Sequence, residues 1–565
     1  MIRSLLLLSI LAASPAVTAQ ECADAEAEQF LERSGVRAKL FNNGALFWSG
    51  GDHTYEVPRG LGTQAIFAAG LWIGGTVEGE TRFAGSDYGP YEYWPGPLGP
   101  DGAAPTPASC AAYDRIWRVT LEDIARYNET GVATPDLAEW PAEVGAPVVD
   151  GDGIADNYDL AAGDRPAILG DETAWWIMND RGDTHDWGET PAIGMEARVT
   201  AFSVSDAYAR ERIGVSDDLV DVFHTATLYR YELTYHGDAP LEDTYVGLFT
   251  DPDLGFFSDD YVGSFPEGEI GYVYNGDDFD EGAAGYGANP PALGVRMISG
   301  PAARPLTGAM YWNGSASVLG NPGNGEEAYR YLQSRWRDGS PATFGGVGYQ
   351  TGTPTTYMFS DLPPGFWSEA NIDGEGTANV PADRRLLMNH GPFTMQPGET
   401  VEVSFAIVFS RSPAGRFDSV YDLVLRDAPG LAAVAGTLTP DGDLRTIRLS
   451  EVPTPSGAAT PPPPPGPEPP ERFDVASTLQ PNPTTGPSVL RIDLPGTAEV
   501  RMTIYDALGR QIAVAVDERL DASFYRLPVP TQTLAPGAYV YRLTVRPEDV
   551  TSRGIETTGR FTVIR

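Results

Sequence analysis

Beyond residue 20, apolar and aromatic residues come in short runs that Gly, Pro, Asp or Asn keep interrupting. This punctuation restricts the fold more than any other feature, because a strand of roughly four to ten residues fits between the breaks and a long helix does not. The segments AIFAAGLWIGG (65–75), ETAWWIMND (172–180), TATLYRYELTYHG (225–237), TYVGLFTD (244–251) and VEVSFAIVFS (401–410) read as strands. In the third, Tyr229, Tyr231, Leu233 and Tyr235 alternate with Leu228, Arg230, Glu232 and Thr234, as on a strand with one buried face. Trp175 and Trp176 must then face opposite sides of their strand. Helical signal is confined to EAEQFLERSG near residue 30 and VTLEDIARYN (119–128), the second with Thr120 as its N-cap. The expected fold class is all-β: a multi-domain β-sandwich protein.

Composition divides the chain. Residues 1–19 read as a signal peptide, with Arg3, a short apolar stretch from Leu5 to Leu11, and Val17-Thr18-Ala19 as the cleavage site. Residues 20–200 and 201–450 are expected as two β-rich domains. EVPTPSGAATPPPPPGPEPPER opens a linker at 451–474, whose five consecutive prolines favour an extended spacer of ~3.1 Å per residue. From 475 to 565, VLRIDL, EVRMTIYD, QIAVAV, LAPGAYVYRLTV and GRFTVI lie at the spacing of a seven-stranded, Ig-like β-sandwich.

The net charge of −40 argues against nucleic-acid and anionic-lipid partners, both of which need a basic footprint. Lys39 is the single lysine. No later stretch reaches the length of a transmembrane helix. In an exported chain the two cysteines, Cys22 and Cys110, suggest one disulfide, the alternative being two free thiols.

PNPTTG (481–486), LRIDLP (490–495), IYDALGRQI (504–512), LAPGAYVYRL (534–543) and RFTVIR (560–565) together resemble the C-terminal sorting domain, type A, of the type IX secretion system. The residues that carry the resemblance are Pro481, Asn482, Pro483, Gly486, Tyr505, Asp506, Gly509, Arg510, Gly537 and Tyr539. It implies Sec export and then passage across the outer membrane of a gram-negative cell by the type IX translocon. It further implies removal of the domain by a sortase-like peptidase, and release or attachment to surface lipopolysaccharide. NNGALFW (42–48), DPDLGFFSDDYVG (251–263), GYVYNGDDFD (271–280) and DRRLLMNHGPFTMQPGE (383–399) resemble blocks of large cargo proteins of the same system, a group with no agreed activity.

VVDGDGIADNYD (148–159) offers the clearest ligand spacing for a metal. Set on the calcium-loop pattern, Gly153 takes the sharp turn, with Asp150, Asp152, the Ile154 carbonyl, Asp156 and Asp159 as ligands. Val148 stands where the first aspartate belongs, so an acidic turn without metal is the alternative. Asp251, Asp253, Asp259 and Asp260 form a second acidic cluster, open to three readings: calcium ligands, paired carboxylates of a glycosidase, or a strand-end turn. The five histidines are scattered without metal-ligand spacing. The expectation is a calcium-stabilised binding or structural protein of the cell surface, for a glycan or host-matrix ligand. The alternative is a secreted hydrolase, either a glycoside hydrolase or a peptidase.

Overall fold

The computed structural model describes residues 21–51, 54–154, 157–301 and 305–435, and further on 474–475, 488–494, 496–506, 510–520, 523–529, 531, 534–547 and 555–563. The signal segment and nearly all of the proline-rich linker lie outside these residues.

Two nine-stranded sheets, antiparallel throughout their pairings, build the body. The first runs, in spatial order, Glu28–Leu31, Arg37–Phe41, Ala45–Leu46, Ala68–Val77, Leu241–Asp251, Arg384–Met395 and Gly308–Asn313, with Tyr55–Glu56 and Glu80–Ala84 at its side. The second runs Asp260–Phe265, Ile270–Asn275, Ala292–Ser299, Thr400–Ser410, Ala226–Tyr235, Met195–Ser203, Glu172–Asn179 and Trp94–Pro95, with Trp117–Thr120 beside it. All five segments expected as strands are strands, and the protein is predominantly β.

The seam expected near residue 200 does not exist. Met195–Ser203 pairs with Glu172–Asn179 on one side and Ala226–Tyr235 on the other, and one buried core takes in residues from Leu31 to Phe409. Residues 21–435 are one body because strands from early and late in the chain alternate within each sheet.

Side-chain alternation decides what each face meets. Tyr229, Tyr231, Leu233 and Tyr235, with Phe405, Ile407 and Phe409 of the neighbouring strand, enter the core shared with the first sheet. Leu228, Ala406 and Val408 point the other way, onto helical segments between 206 and 224 and between 416 and 435. Trp176 joins the shared core and Trp175 a separate cluster with Trp117 and Trp140, the opposite facing that a strand requires. On the far side of the first sheet an aromatic series of Trp72, Phe249, Trp312 and Tyr331 has ring centroids 5.1, 6.0 and 4.8 Å apart. Tyr331 belongs to the covering helix, Gly325–Leu332.

The two helix expectations part ways. Leu121–Thr130 is a helix with a full capping box: the Thr120 hydroxyl accepts from the Asp123 amide, and the Asp123 carboxylate from that of Thr120. The segment near residue 30 is instead the edge strand Glu28–Leu31. There the Arg37 guanidinium covers the Phe30 ring at 4.1 Å, and Lys39 Nζ reaches Glu28 at 2.6 Å. Cross-strand partners of this kind override a weak helical preference.

The C-terminal region has a core of its own. Three strands (Asp474–Val475, Ser488–Leu494, Ser523–Val529) and four (Gln511–Leu520, Ala498–Asp506, Gly537–Pro547, Ile555–Val563) form two antiparallel sheets. Val500, Met502, Ile504, Tyr541, Leu543 and Val545 meet between them.

Candidate functional site

Asp251 ends the strand Leu241–Asp251, and the paired strand Arg384–Met395 begins just after Asp383. Thr250 lies opposite Leu386, so the two chain segments meet at one end of this strand pair, inside the first sheet. This antiparallel pairing brings Asp251, Asp253 and Asp383 together, with one ligand oxygen from each within 4.8 Å of the others. Period-2 geometry sends the adjacent arginines apart. Arg385 turns to the acidic group, with Nη2 3.3 Å from Asp251 Oδ2 and Nη1 on Asp383. Arg384 turns away and grips Glu369, donating through Nη2 at 2.7 Å and Nε at 3.1 Å. Tyr88 completes the centre: its hydroxyl donates to Asp251 Oδ2 at 2.6 Å and accepts from Arg385 Nε at 2.9 Å.

Asp251 is only 2% exposed. Burial pushes its carboxyl up to about 8, against the downward pull of Arg385, and pushes Asp253 up to about 7. One guanidinium shared among several carboxylates does not offset their desolvation. A pair of carboxylates that cleaves a glycosidic bond must flank its substrate; Asp251 faces Tyr88 and Arg385 instead. Asp259 and Asp260 stand apart from this group. Asp260 is buried and accepts the Leu254 amide at 3.2 Å, while Asp259 faces Glu281 and Asn275.

The loop at 148–164 is a second carboxylate group able to hold a metal ion, with a membership different from the expected one. Asp150 and Asp152 are joined by Asp164, which the loop pattern did not include. Val148 and Val149 pair with Pro166 and Arg165, and this short hairpin closes the loop on Asp164. Asp159 turns inward to its own segment, accepting the Ala161 and Ala162 amides at 3.0 Å. The Ile154 side chain is 60% exposed, and Asp156 lies outside the described residues. Gly153 has a φ of 80°, as the turn requires. Asp164 accepts from the amides of Gly151 (2.9 Å) and Asp159 (2.7 Å), which hold it below its ordinary value.

A pocket of about 220 Å³ opens on the other side of Arg384. Tyr311, Trp312, Trp336 and Phe359 wall it, Asn313 and Arg384 supply polar groups, and Val347 and Val380 stand exposed at its edge. In the sequence Trp312 is one of several tryptophans able to stack on a sugar or to fill a core, and the pocket itself is not legible there, since its lining comes from segments spread between 262 and 384.

His185 is buried, with Nδ1 2.8 Å from the Phe83 carbonyl and Nε2 2.8 Å from that of Asp180. Its neighbour Glu92 is pushed up to about 7 by burial. Glu92 and Asp251 are therefore protonated in the folded chain at pH values where the unfolded chain has released those protons. Each contributes stability that is complete below its ordinary value (4.5 and 3.8) and is lost as pH rises toward about 7 and about 8. In metal-free buffer the unfolding free energy from urea titration is expected to fall from pH 5 to pH 8, by up to about 1.4 kcal/mol per pH unit for each such carboxyl while the pH lies below its raised value. A flat or rising profile would mean that Arg385 and His185 keep both groups ionised.

Cys22 and Cys110 form a disulfide, Cα to Cα 6.0 Å, packed against Trp94. In the C-terminal sandwich, Asp506 lies opposite Tyr539 in register, and Tyr505 sits under the Arg542 guanidinium at 5.6 Å. Tyr539 stacks on Phe561 at 5.5 Å and donates to the Ala535 carbonyl at 2.7 Å. Gly537 opens that strand, and Arg510 directly precedes Gln511–Leu520. Pro481, Asn482, Pro483, Gly486 and Gly509 lie outside the described residues.

No protein-family model matches the sequence, and no curated protein matches it. Among solved structures, a polysaccharide lyase superposes over 98% of this chain and 47% of its own, with a TM-score of 0.25 and 8% identity. The chain spans about half the length of that protein, and a superposition of this quality carries no argument about the site.

Proposed function

We propose that the chain is an exported binding protein of a gram-negative cell, released or held on surface lipopolysaccharide, whose 21–435 body takes a sugar-sized ligand. The observation that carries the binding reading is the aromatic-walled pocket. Its volume of about 220 Å³ lies below the range of drug-sized sites and suits a single sugar ring. Tyr311, Trp312, Trp336 and Phe359 match the apolar faces of such a ring, and Asn313 and the Arg384–Glu369 pair its hydroxyls. The ligand class is a glycan or a sugar-bearing host-matrix component. Calcium, which all-oxygen donor sets suit, is the structural ion of this reading. A secreted glycoside hydrolase or peptidase is favoured less, because Asp251 is committed to Tyr88 and Arg385.

The export reading rests on the sorting-domain motifs together with two supports. The C-terminal sandwich has a core of its own, so a translocon and a sortase-like peptidase can act on it without unfolding the body. The disulfide suits an oxidising compartment.

One preparation tests both halves: the protein recovered from the cell surface and medium of a type IX-competent host. Peptides from 500–565 are expected to be depleted relative to those from 40–440. The recovered protein is expected to bind a defined set of sugars on a glycan and matrix array. Val380→Arg, at a position 76% exposed on the pocket edge, is expected to abolish that binding while leaving the fold intact. Equal recovery of the C-terminal peptides would refute removal of the module. Binding untouched by Val380→Arg would refute the pocket.

A further inference from the structure

We propose that Asp251, Asp253 and Asp383 form a half-buried site for a hard divalent cation of the calcium class. The site lies where the chain leaves the first sheet for the second. This proposal does not depend on the sugar-binding reading, since the pocket lies on the other side of Arg384.

The three carboxylates converge from two segments, with one oxygen of each within 4.8 Å of the others. The independent observation is an orphaned atom. Asp251 Oδ2 is occupied by the Tyr88 hydroxyl and the Arg385 guanidinium, yet Asp251 Oδ1, buried with the rest of the side chain, has no hydrogen-bond partner. A buried carboxylate oxygen left unpaired costs about 1–3 kcal/mol or more, so native structures generally supply it with a partner. Water or a cation can fill that role.

The charge balance favours the cation. Arg385 reaches Asp251 and Asp383 by one oxygen each, through Nη2 to Asp251 Oδ2 and Nη1 to Asp383 Oδ1. Asp87 also lies within its field. A single guanidinium thus stands against a larger number of partly or wholly buried carboxylates. Its direction is fixed by the bond from Nε to Tyr88, which leaves the remaining carboxylate oxygens for a second positive charge. The donors are oxygens, with neither His nor Cys in the cluster, a set that suits calcium better than zinc or copper.

The place of the site gives the ion a task. Asp251 is the last residue of a first-sheet strand, and Asp260 the first residue of a second-sheet strand. Residues 252–259 are therefore the crossing between sheets. A cation held by Asp251, Asp253 and Asp383 would fasten that crossing to the start of the strand Arg384–Met395.

The test uses the full chain, stripped with chelator and titrated with calcium chloride, followed by calorimetry and thermal unfolding. Calcium is expected to bind and to raise Tm at concentrations below about 10 mM. In a chain whose surface loop already carries Asp150→Asn and Asp152→Asn, so that this second carboxylate group is silenced, Asp253→Asn and Asp383→Asn are each expected to weaken the remaining binding at least about tenfold. Terbium(III) gives a readout that does not depend on the variants folding. With Tyr88 hydrogen-bonded to Asp251 and Trp48 6.1 Å from the Tyr88 ring, aromatic-sensitised terbium emission is expected from the wild-type chain, displaced by calcium. No calcium binding, or binding retained by both the Asp253 and Asp383 variants, would overturn the proposal. So would a loss confined to the surface-loop variant.

Discussion

Replacing Arg385 by Met is expected to destabilise the 21–435 body by about 3–5 kcal/mol, among the largest single-residue effects in the protein. Arg385 is the guanidinium paired with Asp251, it reaches Asp383, and it donates to the Tyr88 hydroxyl. Methionine fills much of the same volume, so the loss measures charge and hydrogen bonding more than packing. The variant leaves buried carboxyls with no counter-charge from this side chain. They must either ionise in a poor medium or take up protons, and both routes cost stability at neutral pH. All eleven tryptophans lie between 48 and 367, so tryptophan fluorescence during urea unfolding reports on the body without the C-terminal sandwich. Combining Arg385→Met with Asp251→Asn is expected to restore about half of the loss or more, because the second change removes the buried carboxyl that the first leaves without its guanidinium partner. A single-variant loss below about 1 kcal/mol would show that the pair is no stronger than a surface ion pair. Calcium is expected to restore part of the loss in the single variant if it sits on the same carboxylates.

What the residues announce in advance, and what they do not, follows from the range of the interactions involved. Alternation along 228–235 marks a buried and a less buried face because strand geometry is local, and the observed facing agrees with it. The capping box at Thr120 and Asp123 is likewise complete within four residues of sequence. The segment near residue 30 carries the charges and periodicity of a short helix, yet its conformation is decided by Arg37, Lys39 and Phe41 across a strand pair. The missing seam at residue 200 has the same origin. Composition does not change there, and which strands pair across the chain is not written in either strand alone.

The acidic centre was half legible. Asp251 and Asp253 stand out because a carboxylate pair around a proline at a strand end is a conspicuous local pattern. Asp383, Arg385 and Tyr88 do not, since they join the group only through the pairing of Leu241–Asp251 with Arg384–Met395 and through a loop far earlier in the chain. In the 148–164 loop, glycine spacing correctly placed the turn at Gly153, while the register of a two-residue hairpin brought in Asp164. Local chemistry was readable in both cases; the third carboxylate was set by closure of the chain.

The other large effect concerns the tether at the start of the described body. Cys22→Ser with Cys110→Ser is expected to cost about 4–5 kcal/mol, because the bridge closes a loop spanning 88 residues and removes that freedom from the unfolded chain. The folded state also has something to lose. Both cysteines are buried against Trp94, and Ser in their place would put hydroxyls into an apolar contact. Against this, the tail has other anchors: the Cys22 amide donates to the Gly182 carbonyl at 3.0 Å, and the amides of Glu26 and Ala27 donate to Asp114. These bonds act only in the folded chain. They hold the tail in place without reducing the freedom of the unfolded ensemble, so they cannot substitute for the covalent link in the free-energy difference. Urea unfolding of the wild-type chain with and without reductant, beside the double Ser variant, separates the contributions. The reduced wild-type chain should lose the entropic part, and the variant should lose that part plus the contact with Trp94. A loss below about 1 kcal/mol in both would mean that the unfolded chain already keeps these segments close, and that the chain-entropy account fails for this loop.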